Sequence, residues 1–203
     1  MGSLKRNKTA LAYIALVVGV LSGSLSSPLL RYIIQSGVRE EAATFYRIAF
    51  AALALLPYEL LAKQKRQELA GCLQEKSVLL RLGGLGVLKA GTLVTQALSL
   101  RTLEAFSFNT IYYLNPLVVM VLSFFFLHEK TPFWGIVSAL VSMGGVALAT
   151  LGKMDGAGIF YAALSAAFYA GYIVLGRQLR AQLSASVSVF VPLCFSAAAM
   201  YIL

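Results

Sequence analysis

Charge is what this sequence has least of. Acidic and basic residues together make up 12% of its 203 residues, against the roughly 25% that a soluble domain carries. With 59% hydrophobic residues, a folded chain has too little polar surface to stay dissolved, so its solvent is lipid. Acids are scarcer still. All eight, Glu40, Glu41, Glu59, Glu68, Glu75, Glu104, Glu129 and Asp155, fall between apolar runs or near their ends. No carboxylate lies at the centre of a run, so a carboxylate proton relay of the kind frequent in pumps is unsupported. The single histidine, His128, also sits at the end of a run. A histidine-rich intramembrane metal site is thereby excluded, and no Ser-His or paired-aspartate arrangement marks a catalytic centre. No metal, no cofactor and no enzyme activity are expected. The only two cysteines, Cys72 and Cys194, are far apart and form no metal or redox motif, so they read as packing or loop residues.

What is present is a series of long apolar runs. A spanning helix needs about 20 mostly apolar residues. Seven segments qualify: Thr9–Ile34, Ala42–Ala62, Val78–Leu100, Ala105–Leu127, Phe133–Leu151, Gly158–Gly176 and Ser186–Leu203. They do not alternate apolar and polar residues as β-barrel strands would. The expected fold is all-α, a polytopic bundle of about seven transmembrane helices. The first run is too long for the apolar core of a signal peptide and is followed by more of the same kind, so it reads as an uncleaved helix. The links between runs are short. The longest, Lys63–Ser77, is polar and basic and reads as a connection.

The net charge of +9 is no mark of nucleic-acid binding, because the basic residues sit between apolar runs rather than on one face. Their distribution gives an orientation instead. Lys5, Arg6, Lys8, Lys63, Lys65, Arg66, Lys76, Arg81, Lys130, Arg177 and Arg180 fall on one side, against Arg39, Arg101 and Lys153 on the other. The N-terminus is expected on the cytoplasmic side of the cell membrane (plasma or inner). Seven spans then leave the C-terminus outside, where the last run ends at Leu203 without a polar flank, as expected of a chain truncated at that end.

The first and sixth runs align at a spacing of 146 residues, matching Arg31 with Arg177 and Leu29 with Leu175. Composition alone gives apolar segments such likeness. The topology adds weight: five helices are an odd number, so a second copy starting at the sixth enters from the opposite side. That is the inverted-repeat plan of many secondary transporters.

Three stretches carry a family resemblance. Phe45-Tyr46-Arg47-Ile48-Ala49-Phe50 leads to Pro57. Tyr112-Tyr113-Leu114-Asn115-Pro116-Leu117 leads to Leu127-His128-Glu129-Lys130-Thr131. Gly135 leads to Gly144-Gly145-Val146-Ala147-Leu148. In this order and spacing the chain resembles EamA-type transporters of the drug/metabolite transporter superfamily. The resemblance implies ten helices in two five-helix EamA repeats that move small organic solutes such as metabolites, amino acids or drugs. Residues 1–151 would be the first repeat and 152–203 the first two helices of the second.

Individual residues then become candidates for a solute pathway. Lys89 sits mid-run, where a lysine costs about 3 kcal/mol or more to place and where its side chain is too deep to reach the interface. A cavity position is favoured. Arg47 either lines the same cavity and attracts an anion or snorkels to the interface, and Arg31, nearer a run end, snorkels. Asn109, Tyr112, Tyr113 and Asn115 precede Pro116, which removes a backbone N–H and frees the Tyr112 carbonyl. This half-helix lines a pathway or glues helices together. Gln96, Tyr169 and Tyr172 are further candidates. Gly19/Gly23, Gly83-Gly84-Gly86 and Gly144-Gly145 suit close helix approach.

The expected function is secondary transport of small organic solutes by alternating access, including efflux. The partners are the lipid bilayer and a solute. Interior positive charge without interior negative charge hints at a carboxylate-bearing one. The alternative is a truncated or half-size scaffold that acts as a homodimer without transport of its own.

Overall fold

The computed structural model describes residues 2–61, 63–128, 133–150, 155–179 and 183–202. Among these residues every regular element is a helix. They are α1 (Gly2–Gln35), α2 (Glu40–Leu61), α3 (Lys63–Gln74), α4 (Lys76–Thr102), α5 (Ala105–Tyr112), α6 (Asn115–Leu127), α7 (Phe133–Thr150), α8 (Gly156–Leu179) and α9 (Val187–Ile202). All seven expected spans are helical, with α5 and α6 sharing one. Five stretches are long and apolar enough to cross a membrane: Tyr13–Gln35, Glu40–Leu61, Lys76–Thr102, Ala105–Leu127 and Gly156–Leu179. The apolar parts of α7 and α9 are shorter, Phe133–Gly145 and Val187–Tyr201. Leu16, Leu21, Leu53, Phe125, Trp134 and Leu140 project outward unburied, a surface suited to lipid and not to water.

The expectation that residues 63–77 form only a connection is corrected by α3. Its sequence, Lys-Gln-Lys-Arg-Gln-Glu-Leu-Ala, is made of strong helix formers, and its low hydropathy concealed it in a search for spans. Lys65 and Glu68 pair across one turn at 3.6 Å. Lys130, Lys153, Arg180, Glu129, Thr131, Leu151, Ala62 and Leu203 lie outside the described residues, as do the side chains of Lys5, Arg6 and Lys8.

Helix α4 is the hub. It packs along α8 and α9 and touches α1, α2, α3 and α5. Leu82, Leu85, Leu93, Ala97 and Leu100 are buried on it. Two glycines permit this closeness. A Cβ on Gly86 would lie 2.4 Å from the Phe195 Cβ and 3.0 Å from the Pro192 carbonyl oxygen on α9. The Ser196 hydroxyl donates to the Gly86 carbonyl at 2.9 Å. A Cβ on Gly158 of α8 would lie 2.5 Å from the Thr102 hydroxyl oxygen, and Ser99 donates to the Gly158 carbonyl at 2.8 Å. The other glycine expectations are corrected in part. Among the described residues, Gly19, Gly23, Gly144 and Gly145 have nothing within 4 Å of such a Cβ, and Gly83 and Gly84 only ordinary contacts.

The two ends of the bundle are fastened differently. At one end Arg101 of α4 pairs with the buried carboxylate of Glu40 on α2. At the other, Glu68 of α3 accepts the backbone N–H of Ser184 just before α9, at 2.5 Å. Partial burial opposes ionisation of Glu68, but the Ser184 backbone and hydroxyl and the Lys65 ammonium outweigh it and hold the carboxyl below its ordinary value. A depressed carboxyl contributes stability that is full above its unfolded value and is lost as pH falls through its folded one. Acidification is therefore expected to free the Ser184 amide. Protection from hydrogen exchange at residues 183–187, measured relative to the free-chain rate, should fall below the usual carboxylate range, and Glu68→Gln should abolish that acid-dependent fall.

Candidate functional site

Halfway along the helices a cavity of about 380 Å³ opens between α1, α2, α4, α5 and α8. That falls within the roughly 300–1,000 Å³ typical of small-molecule sites. Helical spacing explains its walls. From α4 come Lys89, Thr92, Leu93 and Gln96; from α1, Val20, Gly23, Ser24 and Ser27. Both sets fall on one helix face. From α5 and its C-terminal cap come Asn109, Tyr112 and Tyr113, while α2 contributes Arg47 and α8 contributes Tyr169.

Lys89 is the fourteenth of 27 residues in α4, about 20 Å from either helix end at 1.5 Å per residue. Its ammonium lies 5.4 Å from the ring centroids of both Tyr169 and Tyr172. These rings are one turn apart on α8 and stack with centroids at 6.1 Å. Their faces offset part of the cost of taking the ammonium out of water. Tyr112 continues the aromatic wall, with its centroid 5.4 Å from that of Tyr169 and 5.3 Å from that of Phe108.

The opposite wall is a chain of hydrogen bonds. Arg47 Nη1 donates to Gln96 Oε1 at 3.5 Å. Gln96 Nε2 donates to Ser27 Oγ at 3.2 Å. Ser27 Oγ donates to Asn109 Oδ1 at 2.8 Å. Four helices, α2, α4, α1 and α5, are thus joined by four side chains. Ser26 Oγ, also on the cavity, is buried without a partner among the described residues. Two cations and no acid are among the described lining residues, so the cavity is electropositive.

Of the residues marked from sequence, Lys89, Arg47, Gln96, Asn109, Tyr112, Tyr113 and Tyr169 line this cavity. Tyr172 lies beneath the Lys89 ammonium. Asn115 and Pro116 do not line it. The helix has already ended: Tyr113 N–H bonds to Asn109 and Leu114 N–H to Ile111, and α6 begins at Asn115 with Pro116 in its first turn. Pro116 opens a new helix, where its missing N–H is harmless, instead of kinking a continuous one. Arg31 does not line the cavity and is half-buried near the end of α1. The residues missed from sequence are Ser24, Ser26, Ser27 and Thr92. The signal was available in α1, where Val20, Gly23, Ser24 and Ser27 form a small, polar stripe at helical spacing.

Among the described residues no three metal-ligating side chains come together. Residues 10–151 match the EamA-like transporter family. The chain belongs to that family. No curated protein and no solved structure matches it. As an EamA-like chain it is a multi-pass membrane protein of the drug/metabolite transporter superfamily, a family of transporters and not of enzymes. The EamA match ends before α8 begins and takes in all of the cavity's described lining except Tyr169.

Proposed function

We propose that this EamA-like protein is a secondary transporter of small organic anions, a carboxylate-bearing metabolite or amino acid, working by alternating access. The observation that carries the reading is the mid-membrane cavity lined by Arg47 and Lys89 with no acid among its described residues. Arg47 offers a planar fork suited to a carboxylate, and Lys89 a compact charge deep in the bundle. Gln96, Asn109 and Ser26 supply polar groups around them, and the tyrosines an apolar wall that becomes polar at its hydroxyls.

Residues 1–151 act as a first repeat and residues 152–203 as the opening of an inverted second one. Two observations support this. The family match covers 10–151, and the carboxyl ends of α1 and α8 point to opposite ends of the bundle. The end of α1 leads into α2, whose Glu40 meets Arg101, while Leu179 at the end of α8 packs with Leu82 near the start of α4. The basic residues at the α3 end favour placing that end, and the N-terminus, in the cytoplasm.

The test is counterflow in proteoliposomes. Vesicles loaded with a panel of carboxylates are expected to accumulate the labelled solute, and matched cationic amines are expected to give no exchange. Exchange of amines alone, or none at all from protein shown to be folded, would refute the reading. The second result would favour a scaffold that acts by pairing.

A further inference from the structure

Helix α3 has no part in the cavity, yet it combines two features that the transport reading leaves unused. The first is a groove of about 350 Å³ between α3 and α9, with walls that are almost wholly apolar. Leu69 and Leu73, one turn apart, form its α3 side. Phe190, Cys194 and Ala198, each four residues from the last, form its α9 side together with Phe195. The groove therefore follows α9 over two turns, about 12 Å. It leads away from the end where Glu68 of α3 holds the Ser184 amide.

The second feature is charge of one sign at that end. Arg66 precedes Leu69 by three residues and Leu73 by seven, so it shares their face of α3, and it is exposed. Lys63, one turn earlier, is exposed as well, and so are Lys76 and Arg81 at the start of α4. The acids of this end are engaged or withdrawn. Glu68 accepts from Ser184 and pairs with Lys65, Glu75 accepts the Ser77 hydroxyl at 3.0 Å, and Glu59 is fully buried. Among the described residues no ion pair engages Lys63, Arg66, Lys76 or Arg81.

An apolar slot beside unpaired cations fits an amphiphile with an anionic head. A second copy of the chain fits it less well. A two-fold contact would set the same basic patch against itself, and the groove's few lining residues fall far short of the roughly 20–30 a side of a stable interface. We propose that the α3–α9 groove binds one anionic phospholipid. An acyl chain lies along α9 between Leu69, Leu73 and Ala198, and the phosphate is met by Arg66, whose planar fork matches it, and by Lys63. The charge distribution favours the cytoplasm for this end, the side on which a membrane presents anionic lipid to basic segments. The bound lipid fastens α3 to α9 alongside the Glu68–Ser184 contact.

The experiment is native mass spectrometry of the full chain in detergent, titrated with phosphatidylglycerol or with phosphatidylcholine of the same acyl chains. One phosphatidylglycerol is expected to be retained in preference to phosphatidylcholine. Arg66→Gln and Lys63→Gln should each weaken that retention by about fivefold, whereas Arg39→Gln at the opposite end should leave it unchanged. Ala198→Phe, which fills the groove without altering charge, should abolish it. If that variant fails to fold, alkylating the exposed Cys194 of the folded protein with a bulky maleimide fills the same space, with Cys72→Ser confining the reaction to that site. Equal retention of the two lipids, or retention of phosphatidylglycerol that survives both charge removal and groove filling, would overturn the proposal. So would a dimer mass that disappears on groove filling, since the face would then belong to a second copy. None of these readouts involves a transported solute, so the lipid site stands or falls independently of the transport reading.

Discussion

Lys89→Met is expected to abolish anion counterflow while leaving the protein as stable as before, or more so. Truncating one partner of a buried charge pair costs about 2–5 kcal/mol. Solute binding should therefore weaken by on the order of 100-fold. The empty protein responds in the opposite sense. Lys89 sits in the middle of α4 against two tyrosine faces, and replacing a buried charge by an apolar side chain of similar size is often neutral or stabilising. Purified Lys89→Met should unfold at an unchanged or higher temperature, with no solute-induced shift. Arg47→Met is expected to weaken binding less, because Arg47 is exposed and already donates to Gln96. Unchanged counterflow in Lys89→Met would remove the lysine from the site. Loss of both counterflow and stability would make it a structural residue instead.

The second large effect belongs to packing. Gly86→Ala is expected to destabilise the bundle by about 1–3 kcal/mol, the cost of overfilling a packed site. The new methyl would overlap the Phe195 Cβ and press on the Pro192 carbonyl. Neither is the far end of a flexible side chain, so α9 itself has to move, and the Ser196–Gly86 hydrogen bond stretches with it. Gly144→Ala is the control. Nothing lies within 4 Å of its added methyl, and alanine is the better helix former, so its thermal unfolding should be unchanged or later. Equal behaviour of the two variants would show that α4 and α9 are less closely packed than described.

How much of this was legible beforehand depends on which physical signal each feature leaves. Spans announce themselves through the cost of hydrocarbon, and every expected run is helical over its described residues. Helix α3 left no such signal, because it is polar and the search was for apolar length. Lys89 stood out because a mid-span ammonium is expensive wherever it points. Ser27 did not, because a serine in a membrane helix can satisfy itself on the preceding turn, as Ser24 does on the Val20 carbonyl. Only the tertiary arrangement shows that Ser27 instead joins Gln96 and Asn109. Glu59 illustrates the same limit from the other side. Its place near a helix end marked it as peripheral, whereas in the folded bundle it is fully buried. Pro116 was recognised as a break, but whether a proline kinks a helix or begins a new one depends on the residues before it.

Ser27 also bears on how the walls would meet a solute. Helix α1 is the least buried of the long spans, and the described hydrogen bonds tying it to its neighbours converge on that one hydroxyl. Gln96 Nε2 carries two N–H donors, so under the proposed carboxylate transport one would hold Ser27 while the other met the solute. A carboxylate that turned the amide toward itself would strain that fastening, and α1 would be the wall to give.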